Sequence, residues 1–96
     1  MLVSLLCFDK PGHVDLRMKL RPTHLDWIEK TGVKMAFAGP MLSDDGASPH
    51  GSIIIGEFAT LEEAKTFSEN DPYAKGGLFE RVLVQPTRQV FPAPGK

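Results

Sequence analysis

The chain has 96 residues, a formal net charge of −1 and a 42% hydrophobic fraction. That fits one globular domain and excludes a disordered chain, and no apolar run reaches the length of a transmembrane helix. The lysines and arginines are scattered, which argues against a nucleic-acid footprint or a polybasic membrane anchor. Cys7 is the single cysteine, so no intrachain disulfide can form. With no basic, apolar leader at the start, the chain reads as cytoplasmic.

Met1 to Phe8 reads as a buried strand, ended by Lys10-Pro11-Gly12. Val14 to Leu20 reads as a helical segment. Arg21 precedes a proline, which disfavours its α conformation, so a break is expected there. Pro22 then opens a second helical piece running to Thr31, with Gly32 as the residue past its end. Across both pieces Leu20, His24, Trp27, Ile28 and Thr31 share one helical face. Val33 to Met41 alternates as a second strand, broken or bent at Gly39-Pro40, and a polar loop follows from Ser43 to Gly51. Ser52 to Phe58, centred on Ile53-Ile54-Ile55, is the third strand. Thr60-Leu61-Glu62-Glu63 has the spacing of a capping box, in which the Thr60 hydroxyl accepts from the Glu63 amide and the Glu63 carboxylate reaches back. Leu61, Ala64 and Phe67 form the inward face of the helix that follows. Asp71-Pro72-Tyr73-Ala74-Lys75 is a short turn stopped by Gly76-Gly77, and Leu78 to Gln85 is the fourth strand. Thr87 to Phe91 reads as a short extended arm.

The order strand, helix, strand, strand, helix, strand predicts an α+β ferredoxin-like βαββαβ domain. Its four-stranded antiparallel sheet carries both helices on one face. The domain spans residues 1–91, with a loose tail over 92–96. A sheet with one face in water alternates apolar and polar residues. Ile53-Ile54-Ile55, Val82-Leu83-Val84 and Leu5-Leu6-Cys7 do not, so the second face needs a cover. A second copy of the same sheet supplies one, which predicts a homodimer.

His24 and Asp71 are the candidate chemistry. Both stand beside prolines, where helix starts are expected. A histidine titrates near neutral pH, and a carboxylate that orients it fixes its tautomer. The bland readings stand beside this one: His24 is a core histidine near Trp27, and Asp71 is an N-cap accepting backbone N–H bonds. A carboxylate has oxygens enough for both tasks. Among the neighbours, Tyr73 is a hydrogen-bond donor or a packed ring, Arg21 an anion holder or a solvated cation, and Ser52 a pocket-lining hydroxyl at a strand end. His13 and His50 sit in polar loops with no metal-ligand spacing between them or to His24, so no metal site is expected. Cys7, on a strand, reads as an apolar filler. Gly76-Gly77 is a helix stop, with no phosphate-loop pattern around it.

On Arg21-Pro22-Thr23-His24-Leu25, Ala38-Gly39-Pro40-Met41, Gly51-Ser52, Glu57-Phe58 and Asp71-Pro72-Tyr73, the chain resembles the YCII-related family from its first strand to about Phe91. The resemblance implies a dimeric α+β barrel akin in fold to the muconolactone isomerases. It also implies an active-site dyad whose histidine and aspartate fall on His24 and Asp71. The reading that follows is a small enzyme acting without a cofactor. His24 would exchange a proton with a small, anionic or carbonyl-bearing molecule in an isomerisation, elimination or hydrolysis, while Asp71 orients the ring and Arg21, Ser52 and Tyr73 bind the substrate. The alternative is a non-catalytic ligand-binding or accessory dimer. An RNA-binding sheet of the same strand order is disfavoured, because the strands lack exposed aromatic-basic patterning.

Overall fold

A computed structural model describes residues 1–94 of the chain, so the last two residues of the expected tail lie outside the described residues. The elements run β1 (Leu2–Asp9), α1 (Val14–Lys30), β2 (Met35–Leu42), β3 (Pro49–Glu57), α2 (Leu61–Asn70), α3 (Pro72–Lys75) and β4 (Phe79–Thr87). The four strands form one sheet in the order β2-β3-β1-β4, and every neighbouring pair is antiparallel. This is the expected α+β ferredoxin-like arrangement.

Register divides the sheet into two faces. Val3, Leu5 and Cys7 of β1 pair with Gly56, Ile54 and Ser52 of β3, and on the other side with Pro86, Val84 and Val82 of β4. These positions carry the face that the helices cover. The core gathers Val3, Leu5, Cys7, Ile54, Phe58, Ala64 and Phe67, with Trp27 and Ile28 of α1 packed against it. Trp27 meets Phe67 with ring centroids 4.7 Å apart, and Phe67 meets Phe58 edge-on at 5.2 Å. The opposite face carries Leu2, Leu6, Phe8, Ile53, Ile55, Phe37 and Leu83, none of them buried.

The structure corrects the chain-order reading at three prolines. Pro22 does not open a second helix: α1 is one helix, with Pro22 inside it. A proline there removes the N–H that would bond the carbonyl of Met18. Met18 itself is half exposed, and tertiary packing of α1 outweighs the local penalty. His24 therefore stands in the middle of a long helix, not at its start. Gly39-Pro40 likewise does not break β2. Pro40 pairs with Ser52 inside the ladder, because β2 is an edge strand and edge strands accommodate proline. Third, β3 begins at Pro49, inside the segment read as loop.

The ends of the helices are set by local chemistry. Gly32 follows α1 with φ +72°, the left-handed geometry that favours glycine past a helix end. Thr60 caps α2, its Oγ1 accepting the Glu63 N–H at 3.1 Å. The reciprocal bond from the Glu63 carboxylate is not made among the described residues, so half of the expected box is present. Thr60→Ala is expected to lower unfolding free energy by about 1 kcal/mol, read from the denaturant midpoint, with ligand binding unchanged because the cap is remote from the cavity described below.

Candidate active site

Asp71 closes α2 and opens α3. Pro72 takes the first position of α3, and Asp71 Oδ1 accepts the Tyr73 N–H at 2.9 Å, as an N-cap should. The same oxygen receives His24: Nδ1 lies 2.8 Å from Asp71 Oδ1, with Asp71 2% exposed and His24 7% exposed. Capping and orienting are thus done by one carboxylate oxygen. An ionised carboxylate only accepts, so the Asp71 oxygen holds the proton of neutral His24 on Nδ1 and leaves Nε2 as the bare nitrogen. Nε2 has no partner among the described residues, yet no buried side-chain nitrogen or oxygen there is both sealed from solvent and unsatisfied. It therefore opens onto the cavity that His24 lines.

That cavity measures about 530 Å³ and lies between α1 and the β2–β3 side of the sheet. Leu25 and Ile28 form its helix wall, and Ala38, Gly39, Pro40 and Ile54 its sheet wall. The small Ala38 and Gly39 of β2 leave room for the space. His24, Tyr73, Ser52 and Arg17 supply the polar part, and Arg21 stands exposed at the edge. Of the residues singled out from sequence, His24, Arg21, Ser52 and Tyr73 all line this one space, and Asp71 stands behind His24. His13 and His50 lie elsewhere, bonded to the carbonyls of Pro11 and Leu42. Among the described residues no three His, Cys, Asp or Glu side chains gather as metal ligands.

Sequence reasoning missed Arg17 and Asp9. Arg17 is 4% exposed. Its Nε donates to Asp9 Oδ2 at 2.6 Å, and its Nη2 donates to Asp9 Oδ1 at 3.0 Å and to Ser52 Oγ at 2.8 Å. Burial works against its charge, but the hydrogen bonds and proximity of Asp9 outweigh burial and raise the guanidinium further above neutrality. A buried pair of this kind contributes little net stability against an apolar substitute, yet losing one partner costs about 3–5 kcal/mol. The signal was available: the stripe of Leu20, His24 and Trp27, continued back one turn, lands on Arg17. Tyr73 joins the two clusters, its ring stacked on His24 at 4.0 Å and 15° and lying 4.5 Å from the Arg17 guanidinium carbon. Burial pushes the Tyr73 phenol up, against the opposing pull of Arg17, so it stays a neutral donor.

Cys7 is buried under this site, 2% exposed. Burial, aided by the Asp71 charge, pushes its thiol from 9.0 up to about 12, and a thiol of that kind is no nucleophile at neutral pH.

The chain matches the YCII-related domain over residues 1–88, and it belongs to that family. It is 34% identical over 98 residues to the protein YciI of Escherichia coli O6:H1, covering 95% of this chain and 100% of the relative, and equally to YciI of Shigella flexneri. Among solved structures it resembles 5-chloro-2-hydroxyhydroquinone dehydrochlorinase (TftG) of Burkholderia phenoliruptrix, solved in complex with 2,5-dihydroxybenzoquinone. That match has a TM-score of 0.85 and 31% identity, and covers 93% of this chain and 95% of that one. An antibiotic biosynthesis monooxygenase shares the fold alone, at TM-score 0.54 and 12% identity, over 93% of this chain and 100% of that one.

Two predictions follow from the buried groups. Cys7 in the native protein should resist alkylation at pH 8 and react only on unfolding, as mass spectrometry would show. Cys7 and Tyr73 both hold their protons more tightly when folded. The Cys7 contribution to stability is complete below the unfolded thiol value of 9.0 and is lost as pH rises through the folded value of about 12, and the raised Tyr73 phenol acts in the same direction. Denaturant unfolding at pH 8, 9 and 10 should show stability falling with pH, with a shallower fall in Cys7→Ala.

Proposed function

We propose that this chain is a cofactor-independent acid–base enzyme acting by elimination on a small oxygenated ring compound. The observation that carries the reading is the 2.8 Å contact of His24 Nδ1 with buried Asp71, which leaves Nε2 bare at the wall of a closed-backed cavity. Nε2 is the general base and takes the proton of an enolic hydroxyl. The O–H electrons form a C=O bond, the neighbouring double bond shifts, and a halide on the allylic carbon leaves with its bonding pair. The sum is loss of HX with no change of oxidation level. Asp71 stabilises the imidazolium formed, Tyr73 donates a hydrogen bond from its phenol, and Arg21 receives an anionic part of the substrate at the mouth. Arg21 has no ion-pair partner among the described residues, which supports that role. The dehydrochlorinase activity and the quinone ligand of the structural neighbour favour elimination over isomerisation or hydrolysis.

We further propose that the chain works as a homodimer joined through the open sheet face, giving the dimeric α+β barrel. Strands about 4.8 Å apart and rising about 3.3 Å per residue give the four-stranded face a projected area of roughly 500 Å² per copy. Pairing two such faces removes roughly 1,000 Å² in total, the size at which specific interfaces begin. The face is also mostly apolar, as obligate interfaces are. A cytoplasmic location agrees with this reading, and no helix among the described residues is long and apolar enough to cross a membrane.

Turnover of chlorinated di- and trihydroxybenzenes, followed by quinone absorbance, tests the chemistry. His24→Ala is expected to abolish it in a folded protein. Asp71→Asn should lower it less, by about 10²–10⁴-fold, the usual worth of assisted proton transfer. Turnover unchanged in His24→Ala would remove the dyad, and no turnover by wild type would leave the chain as a non-catalytic binding dimer. Sedimentation at micromolar concentration should give twice the chain mass, and a stable monomer would remove the dimer.

A further inference from the structure

The cavity inverts the usual order of a protein surface. Its polar side chains are buried: Arg17, His24, Ser52 and Tyr73 are each 7% exposed or less. Its open side is apolar: Met18, Leu25 and Leu42 line the same cavity and are 50%, 40% and 48% exposed. Buried polar groups and exposed clusters of large apolar groups are the departures from an ordinary surface that call for a task. The acid–base reading gives the polar end a task and the apolar rim none. We propose that the rim binds an apolar substituent of the substrate, a short hydrocarbon chain carried by the oxygenated ring that meets His24. The proposal rests on the acid–base reading for the place of the ring, and deepens it by naming the substrate class as alkyl-substituted ring compounds.

Three features of the site carry it. The first is size. A cavity of about 150 Å³ is enough for benzene, and this one measures about 530 Å³. A single ring at His24 leaves most of the space to something else. Second, the rim is built into α1. Successive helical residues turn by about 100°, and Met18 and Leu25 each come one place after a buried polar residue, Arg17 and His24. The same step around the helix thus leads from polar floor to apolar rim twice. The two rim positions are seven residues apart, about 10 Å along the axis, a strip long enough for a chain of several methylenes. Arg21 stands between them, but its charge sits at the end of a hydrocarbon stem, which can lie along apolar surface with the head in water. Third, Leu42 comes to the same opening from β2. A chain leaving the ring passes between α1 and β2 and covers apolar surface on both, which is favourable in proportion to the area removed from water. The rim is continuous with the space around His24, so a group already attached to the ring reaches it without a second binding event. A separate protein partner would have to pay for that association in full.

The probes are 2,5-dihydroxybenzoquinone and its 3-methyl, 3-propyl and 3-pentyl derivatives, titrated calorimetrically into wild type and into a variant combining Met18→Ser, Leu25→Ser and Leu42→Ser. In wild type each added methylene should tighten binding by about two- to fourfold, the upper figure being that of a fully buried methylene. In the variant the gain from methyl to pentyl should shrink by at least about fivefold, with the unsubstituted probe bound within about twofold of wild type. A flat series in wild type, or no saturable binding of any probe, overturns the proposal. An undiminished gain in the variant also overturns it, since the chain then lies against the inner walls. Turnover keeps the two readings apart. Elimination by wild type that is lost in His24→Ala, together with a flat alkyl series, removes the rim proposal alone. A rising series with no turnover of any chlorinated dihydroxybenzene, alkylated or bare, removes the acid–base reading alone. Should the variant fail to fold, wild type gives the answer by itself: the ¹³C-labelled Met18 ε-methyl resonance shifts with the pentyl probe and not with the unsubstituted one, and equal shifts or none overturn the proposal.

Discussion

The site depends on one oxygen atom. Asp71 Oδ1 holds the N–H of Tyr73 at the start of α3 and the ring of His24 from the middle of α1. Two helical segments that are distant in sequence are thereby tied at one buried point. The His24 imidazole and the Tyr73 ring take their places from that tie. The imidazole cannot rotate away from the carboxylate without leaving a buried charge unpaired, and the Tyr73 ring, one residue beyond the proline, is delivered flat against it. Gly76 lets the segments come this close: a Cβ there would stand 2.6 Å from Leu20 Cδ1. The same α1 face thus meets α3 at Leu20 and at His24.

Two buried carboxylates serve two cationic or potentially cationic partners, Asp9 with Arg17 and Asp71 with His24, and Tyr73 stands between the pairs. The pairs differ in kind. Arg17 is always charged, so Asp9 keeps a permanent cation at the cavity wall. His24 is a cation only when protonated, so Asp71 faces a partner whose charge is conditional. The neutral phenol of Tyr73 separates them without adding a third charge.

Much of this was legible in the sequence. The strand and helix order follows from alternation and from the turn residues, and His24, Asp71, Arg21, Ser52 and Tyr73 were marked by type and position. The doubly apolar strands declared a second sheet face in need of cover. What escaped was context-dependent. Pro22 looks like a helix start because its local penalty is real, but packing of α1 on both sides of it, with Arg17 and His24 buried, makes an internal proline tolerable. Pro40 looks like a break or bend because nothing local says that β2 lies at the sheet edge. Arg17 looks like a solvated cation because arginine usually is one. Its burial depends on Asp9, which waits at the end of a strand, and on Ser52 of β3, a pairing that only the folded sheet creates. The Glu63 half of the capping box was readable as a possibility, but an exposed side chain at that position is as well served by water.

The sheet ends on both sides in strands that carry a proline, Pro40 in β2 and Pro86 in β4. An incoming strand at either edge would find the row of backbone donors interrupted, so neither edge offers a continuous template for lengthening the sheet. Growth by strand addition, the route to fibres, is hindered at both ends, whereas the helix-free face of the sheet is left open to contact. The architecture thus permits self-association while bounding it, and Pro40 also keeps the β2 wall of the cavity clear of any added strand.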